Sequence, residues 1–399
     1  MAVRGVFASH NGIVGERVGD LSSRVLMLGY SGTAPLLALS SGMPKESAVD
    51  TSYSWTEDQH LSGNTLKNGA QANPADVAII VDDTSIWTKN SLVMNQTTGE
   101  YLFVVTVDSA TQITVLRGVA GTVATAMADD DVMQSVGTAF EEGGGKPEAV
   151  TQKGESRTNY VQIFKNGWAI TGTAKAVKFH TGSQLAYNRG QALGYHLEDL
   201  ERAFMFGRPG VMVNGNKQLR FSGGIAYWIE TFGGLIVNAN SGGAGNLNMK
   251  DLRNFLRRVF DRNVKGLPNE RIAYTGSAVI EQVQEMIRKD AQYNVYVSET
   301  AYGLKVWKLQ GFNGDLTLMT HPLFTENSIW GKQLHVYHPG LIRKRVLRDT
   351  WEETFGAERS NNAGVDADEG YIGIETGFEV KAVETMGILK NITTAVASG

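Results

Sequence analysis

The side chains that could carry chemistry in this chain of 399 residues are seven histidines and several acidic and basic clusters. Histidine exchanges protons near neutral pH and is a common metal ligand. No pair of histidines follows the His-Glu-x-x-His spacing or another ligand run typical of zinc sites. We therefore predict that they pack and form hydrogen bonds rather than bind zinc; they are His10, His60, His180, His196, His321, His335 and His338.

Acidic residues cluster at Asp82–Asp83, Asp129–Asp131 and Asp366–Glu369. Oxygen-rich clusters suit hard cations, and the last of the three alternates its carboxylates within a predicted loop. It lacks the spacing of an EF-hand. A solvated loop is therefore the favoured interpretation, with calcium binding as the alternative.

Basic residues form two clusters. Arginines line one side of a helix predicted over 249–262, where they could face phosphates or an acidic neighbour. No aromatic stacking positions interleave with them, which favours an ordinary exposed face. The second cluster lies in a predicted strand, Arg343–Arg348, whose alternation places Arg343 and Arg345 on one face. We predict that these two form salt bridges to a neighbouring subunit.

Sequence motifs of common catalytic sites are absent. The chain has no Gly-x-Ser-x-Gly elbow, P-loop or Gly-x-Gly-x-x-Gly turn, and Gly143–Gly145 precedes Pro147 as in a hinge or loop tip. It has no cysteine, which excludes disulfides and thiolate sites. We assign no catalytic, cofactor-binding or metal residue and predict that the protein is not an enzyme.

Charge and hydropathy narrow the class further. A net charge of -4 and a pI near 6.0 argue against a protein that wraps nucleic acid with a basic surface, although local contact with DNA stays open. The first residues lack a signal-peptide layout, and the apolar run over 25–39 is interrupted by Gly29, Gly32 and Pro35. We expect a soluble cytoplasmic protein.

The elements that must position these groups are predicted as follows. Residues 1–50 show little periodicity and read as an arm, and 53–60 with 151–172 read as the two sides of a long hairpin. A block of short strands over 70–138 is inserted in that hairpin. A helix runs from about 182 to 206, with Ser183 as N-cap, Gly207 as stop signal, and a Glu198–Arg202 pair on its exposed side.

Beyond that helix, residues 220–340 read as a compact α/β domain. Asn248 and Ser277 are predicted to cap its two helices, and a strand is predicted over 271–274 between them. The strands from Ile342 to Ile388 are predicted to return to the sheet beside the long helix.

This order of elements resembles the major capsid proteins of tailed bacteriophages, with the Hong Kong 97 fold. The resemblance lies in Tyr160–Phe164, the helix Ser183–Phe206, the Gly-Gly-Ile step in Phe221–Ile225, and the closing segments Glu375–Val380 and Gly387–Leu389. The inserted segment Thr111–Thr122 is similar to a small β module that recurs in virion proteins.

The resemblance implies an α+β, Hong Kong 97-like fold with a small all-β insertion. The implied domains are an N-terminal arm at 1–50, an extended loop at 51–172 with the insertion at 70–138, a peripheral domain at 173–220 and 341–399, and an axial domain at 221–340. The implied function is assembly through pentamers and hexamers into an icosahedral-type shell around double-stranded DNA.

The partners implied are further copies of the chain, scaffolding and portal proteins, with decoration proteins as an option, and packaged DNA contacted non-specifically on the inner face. No membrane and no cofactor are implied. The implied location is the virion capsid, after assembly in the host bacterial cytoplasm. Three alternatives stay open at this point: an encapsulin-like compartment, a β-rich hydrolase with carboxylates distant in sequence, and another virion component.

Overall fold

The computed structural model of the protein describes residues 43–58, 63–146, 149, 151, 153–179, 182–239, 247–289, 296–301, 304–311, 314–355 and 366–392. Most of the predicted N-terminal arm, at 1–42, lies outside them. The chain divides into two compact units: Thr56–Arg157, here called the barrel unit, and the segments before and after it, here called the main unit. Among the described helices, none is both long and apolar enough to cross a bilayer.

The secondary structure is mixed, which confirms the α+β class. The strands are β1 Lys45–Ser47, β2 Ser52–Glu57, β3 Asn64–Leu66, β4 Ala78–Ile80, β5 Ser91–Asn95, β6 Tyr101–Val107, β7 Gln112–Leu116, β8 Val132–Thr138, β9 Glu155–Tyr160, β10 Gln162–Thr171, β11 Gly210–Asn214, β12 Lys217–Phe221, β13 Leu235–Asn238, β14 Glu270–Thr275, β15 Tyr296–Ala301, β16 Leu304–Gly311, β17 Gly314–Thr320, β18 Leu334–Tyr337, β19 Ile342–Phe355, β20 Ala367–Val380 and β21 Gly387–Lys390. The helices are α1 Gly172–Ala176, α2 Gln184–Phe206, α3 Ile225–Thr231, α4 Met249–Phe260, α5 Ser277–Lys289 and α6 Pro322–Glu326.

The long helix α2 forms where its sequence signals predict. The Ser183 hydroxyl accepts a hydrogen bond from the Ala186 N–H, and the helix ends at Gly207. Its 23 residues span about 35 Å. The predicted Glu198–Arg202 ion pair is present on the exposed side, while Leu200, Phe204 and Met205 on the other side are buried. The burial of these apolar residues determines which face of the helix packs against the rest of the main unit.

A four-stranded sheet with the order β1-β19-β20-β10 packs against α2. The Phe204 ring of α2 stacks on Phe378 of β20, with ring centroids 5.4 Å apart. Phe164, Trp168 and Ile170 alternate along β10 and are buried, because this face lies beneath the helix.

This pairing corrects the predicted hairpin arm. Strand β10 pairs with β20 over its whole length, from Gln162 to Thr171. Only β9 pairs with β2, in a two-stranded sheet through which the chain passes between the two units. The prediction that 151–172 forms one side of the arm is therefore wrong from residue 162 onwards, because the apolar alternation of β10 is satisfied by the helix-covered sheet.

The second large sheet has seven strands in the order β13-β21-β18-β14-β17-β16-β15. On one face Ala273, Leu316 and Val336 pack with helices α4 and α5. On the other face Tyr274 and Tyr337 pack with α2, α3 and α6. Alternate residues of the central strands therefore serve two different cores, as expected for strands covered on both sides.

Two local predictions for this region need correction. Strand β21, Gly387–Lys390, pairs with β13 and β18 in the seven-stranded sheet rather than beside the long helix. Its Ile388 and Leu389 are both fully buried, which suits a strand with a core on each face. Asn248 caps α4 as predicted. Ser277 instead begins α5 itself, since the Gly276 carbonyl accepts the first helical hydrogen bond from Ile280.

The barrel unit contains a six-stranded sheet with the order β3-β8-β5-β6-β7-β4. A bridge between Lys67 and Val81 joins the two outer strands, and Asp82 N–H donates to the Leu66 carbonyl. The sheet therefore closes on itself around an apolar interior that includes Trp87, Leu102 and Ile113. Closure leaves few unpaired strand edges, so the unit has what an independently folding β domain needs. Its first strand begins at Asn64, ahead of the predicted start at residue 70.

Candidate functional site

The four described histidines are internal hydrogen-bonding groups. His196 Nδ1 lies 2.8 Å from Asn166 Oδ1, and His335 bonds to the Tyr337 hydroxyl at 2.7 Å. His321 and His338 accept backbone N–H groups at the starts of short helical turns. The prediction of packing and hydrogen bonding is confirmed for these four; His10, His60 and His180 lie outside the described residues.

Burial keeps two of these histidines neutral. Desolvation lowers the pKa of His335 from its ordinary 6.5 to about 3, with a smaller contribution from Lys390. Desolvation likewise lowers the pKa of His338 to about 4, with help from Arg271. Near neutral pH both imidazoles are uncharged, so they suit a packed interior better than proton transfer at a surface.

The acidic clusters serve local structure. Asp83 accepts from both the N–H and the hydroxyl of Ser85. Asp131 accepts from Asn95 Nδ2 and the Ala128 N–H, and Asp368 pairs with Lys175 at 2.5 Å. Within the described ranges, no three histidine or acidic side chains come close enough to hold a metal ion.

The basic strand pairs within its own chain, which corrects the predicted salt bridges to a neighbouring subunit. Arg343 and Arg345 both reach Glu46 of β1. Arg345 also pairs with the buried Glu379 at 2.5 Å. The side chains do share one face, as the alternation predicts. Their acidic partners come from β1 and β20, which flank β19 in the sheet but are distant in sequence.

Two neighbours of these arginines complete the cluster. Arg348 pairs with Glu375 at 2.6 Å. Lys344 points to the opposite face, where burial lowers its pKa and its ammonium lies 5.9 Å from the Phe204 ring centroid. On helix α4 the predicted basic face is confirmed as exposed at Arg253, Arg257 and Arg258, and Arg262 pairs with Glu384 at 3.2 Å.

A network centred on Asn159 joins three segments of the main unit. The fully buried Asn159 side chain accepts from the Gly223 N–H at 2.8 Å and donates to the carbonyls of Gly223 and Phe378. Gly224 is packed so closely against the end of α2 that a Cβ there would lie 2.6 Å from the Ala203 carbonyl oxygen. The Gly-Gly-Ile step noted in the sequence is therefore a close-packed junction between α2 and α3.

An exposed apolar hairpin in the main unit was not predicted from the sequence. Strands β11 and β12 form this hairpin, and none of the other described strands pairs with them. Five large apolar side chains on it are exposed: Val211, Met212, Val213, Leu219 and Phe221. The signal that could have found it is the apolar run Val211–Val213 and the alternating Leu219 and Phe221 on either side of Gly215-Asn216, a pair suited to a two-residue turn.

A groove of about 400 Å³ lies on the four-stranded sheet, where β19 ends at Phe355. It is lined by Gly167, Trp168, Ala169, Phe355, Glu369, Gly370 and Tyr371. A second cavity, of about 630 Å³, lies in the barrel unit and is lined by hydroxyl and apolar groups with Lys89 as its charged residue. Neither of these two cavities contains a pair of carboxylates, the arrangement that a hydrolytic site would need.

Comparison with known proteins gives a consistent class. The family described as "SU10 major capsid protein" matches residues 7–393. The major capsid protein of Pseudomonas phage PaMx41 is 26% identical over 297 residues, which is 74% of this chain and 70% of that protein.

Among solved structures, the capsid of Myoviridae phage XM1 is 9% identical, with 97% of this chain and 99% of that chain covered and a TM-score of 0.46. A structure from Microbacterium phage Oxtober96 is 10% identical with the same coverage and a TM-score of 0.47. The SrpI encapsulin from Synechococcus elongatus PCC 7942 is 8% identical, with 60% and 77% covered and a TM-score of 0.43.

The fold is α+β, with a long helix, a returning sheet and an inserted barrel, and the family match defines the chain as a structural capsid shell protein. The chain belongs to the SU10 major capsid protein family. Its place is the virion capsid. Major capsid proteins are structural rather than enzymatic, so the hypothesis of a β-rich hydrolase is rejected. The family match covers nearly the whole chain, and it does not favour the encapsulin-like alternative.

Proposed function

We propose that copies of this chain form pentamers and hexamers that close into an icosahedral-type shell around a double-stranded DNA genome. The observation that carries the proposal is the family match across residues 7–393. Closed rings of identical copies require head-to-tail interfaces, in which two different surfaces of the chain meet.

The proposal assigns a role to each domain. Residues 221–340, joined by β21, would surround the ring axes. Residues 173–220 and most of 341–399, joined by β1 and β10, would form the periphery, and the segments 1–42 and 51–161, with the insertion at 64–138, would reach over adjacent copies. Where a segment becomes ordered only against a neighbouring copy, the binding free energy of that contact must outweigh the conformational entropy lost on ordering. Such a contact stabilises the assembled state but not the free subunit.

Further partners belong to the same proposal: scaffolding and portal proteins, with decoration proteins as an option, and assembly in the cytoplasm of the bacterial host. DNA would be contacted on the inner face without sequence preference. A net charge of -4 means that such contact must use local basic patches. It should therefore weaken steeply as the salt concentration rises.

Electron microscopy of the purified full-length chain, alone and with its scaffold, tests the proposal. We expect closed shells with five- and six-fold vertices. A protein that stays monomeric under every assembly condition would refute it. In particles purified from infected cells we expect nuclease-resistant DNA; a packaged enzyme in its place would point to a cargo compartment.

A further inference from the structure

The β11–β12 hairpin, Gly210–Phe221, is an apolar projection of the main unit. Val213 is 68% exposed and Met212 is 49% exposed. Cross-strand pairing places Met212 beside Leu219 on one face, while Val211 and Val213 occupy the other. A two-stranded hairpin alone is marginal in water. A hairpin with apolar side chains on both faces is stabilised when a partner covers them.

The base of the hairpin is held firmly. The Arg220 guanidinium donates to the Val161 carbonyl at 3.3 Å, and the Ser222 N–H donates to Gln162 Oε1 at 2.9 Å. At its tip Gly215 has φ +60, the conformation that the first loop residue of a type II′ turn requires. The hairpin is thus anchored at the start of β10 and regular at its tip, which suits a preformed docking element.

The groove has the opposite character, a concave apolar surface. The rings of Phe355 and Tyr371 stack with centroids 5.9 Å apart. Gly167 and Ala169 also line the groove and bring almost no side chain, Glu369 contributes a carboxylate, and Lys165 Nζ lies 4.6 Å from the Tyr371 ring centroid. A concave surface lined by aromatic rings is the kind of pocket into which an apolar anchor of a partner docks.

The two surfaces lie toward opposite ends of one strand. The hairpin is anchored at Val161 and Gln162, whereas the groove begins at Gly167. About 20 Å of extended chain separates Gln162 from Ala169. One copy therefore cannot place its own anchored hairpin in its own groove. A projection and a groove at opposite ends of one subunit is the arrangement that head-to-tail association needs.

The charges of the hairpin and of the groove are complementary. The segment from Arg208 to Phe221 contains three basic residues and no acidic one. Around the groove five carboxylates outnumber three basic groups; they are Glu352, Glu353, Asp366, Asp368 and Glu369 against Lys165, Lys175 and Arg189. The two surfaces are thus of opposite sign, which favours encounter in one orientation and disfavours pairing of like surfaces.

We propose that the β11–β12 hairpin of one copy docks in the Phe355–Tyr371 groove of a second copy of the chain. The inference rests on the proposed self-assembly and deepens it by naming the two surfaces that meet. Burial of one valine contributes about 1.5 kcal/mol, so disrupting the tip at Val213 should weaken association about tenfold.

Cysteine pairing tests the contact directly, because the chain has no cysteine of its own. One chain carries Val213→Cys, and a differently tagged chain carries Ala169→Cys. After assembly of the mixture, a short bismaleimide should join the two into a heterodimer. The matched control is Ile329→Cys, also on the main unit and 69% exposed, which should not join to Val213→Cys. A single chain with both Val213→Cys and Ala169→Cys should give a ladder of cross-linked oligomers.

A second pair of variants measures the energetic effect. Val213→Asp should reduce particle yield about tenfold, while Ile329→Asp should leave it unchanged, with circular dichroism confirming that both fold. If wild-type shells form but no Val213–Ala169 cross-link appears, the docking inference is overturned and the proposed function stands. If the wild-type chain forms no shells, the proposed function fails, and the cross-link in solution still decides whether the hairpin and groove meet.

Discussion

Glu100 in the barrel unit offers the sharpest test of how this fold is held together. Its carboxylate accepts from Arg117 Nε at 3.0 Å and Nη2 at 2.7 Å, and from the N–H groups of Gly118 and Thr125 at 3.2 and 3.1 Å. The side chains of Glu100 and Arg117 are 0% and 4% exposed. The segment Thr111–Thr122, similar to a recurring virion module, thus contains Arg117 and Gly118, two of the three residues that bond to this buried carboxylate.

We predict that Glu100→Gln destabilises the barrel unit by about 3–5 kcal/mol, because it leaves a buried guanidinium without its counter-charge. For a domain of about 100 residues, each kcal/mol corresponds to roughly 4–8 °C. The melting temperature should therefore fall by at least about 12 °C. Adding Arg117→Met to Glu100→Gln should cost little more, since the orphaned charge is then removed.

The assay is urea unfolding of the isolated unit, residues 56–157, followed through Trp87. This is the single tryptophan of that segment, and it is 3% exposed. Glu142→Gln, at an exposed position, is the matched control and should change the free energy of unfolding by less than about 0.5 kcal/mol. Equal effects of Glu100→Gln and Glu142→Gln would refute the reasoning, and a unit that does not fold alone would refute the independence of the barrel.

The same residue predicts an acid response. Burial raises the pKa of the Glu100 carboxyl, but hydrogen bonds from Arg117 and from backbone N–H groups outweigh it and hold the pKa below its ordinary range. A group whose pKa is depressed by folding stabilises the folded state above its unfolded pKa. That stability is lost as the pH falls through the folded pKa. Unfolding measured from pH 6 to pH 3 should therefore show a flatter acid limb for Glu100→Gln than for wild type.

Three further predictions concern the main unit. Asn159→Leu should lower the free energy of unfolding by about 3 kcal/mol, because it orphans buried backbone groups of Gly223 and Phe378; an effect below 1 kcal/mol in urea unfolding would contradict the network. Gly224→Ala should cost about 1–3 kcal/mol, since its Cβ would lie 2.6 Å from a carbonyl oxygen, and thermal melting that matches wild type would contradict that close contact. His335 has its pKa lowered from 6.5 to about 3, so its contribution to stability is full above pH 6.5 and is lost as the pH falls toward 3. At pH 5 it has lost about 2 kcal/mol, and His335→Gln, though less stable at pH 7, should show a smaller loss between pH 7 and pH 5 in urea titrations; equal losses would rule out the histidine as the cause.

Local signals in the sequence were sufficient to locate these helices. The cap at Ser183, the stop at Gly207 and the apolar periodicity between them lie within one segment, so no distant contact was needed to locate α2. The same holds for Asn248 and α4. Strand partners are different, because alternation shows that a strand has a buried face but not what buries it. Strand β10 was for that reason assigned to an arm although it lies under the long helix.

The basic strand shows the same limit for side chains. Alternation correctly placed Arg343 and Arg345 on one face, but their partner Glu46 lies 297 and 299 positions away. No local pattern could have located it. The β11–β12 hairpin was missed for another reason: Val211–Val213 are consecutive apolar residues that are exposed, whereas a short apolar run ordinarily indicates a buried strand.

The two units can fold at different times during synthesis of the chain, because the barrel is closed within one segment while β1 pairs with a distant strand. Strand β1 pairs with β19 in the register Lys45 with Lys344. At about 5–20 residues per second, the ribosome needs about 15–60 s between the two. Every strand of the barrel, by contrast, is complete by Thr138, so the inserted unit can fold before any sheet of the main unit has all its strands. During that interval β1 has no partner strand in its own chain, and its pairing must wait until β19 has been made.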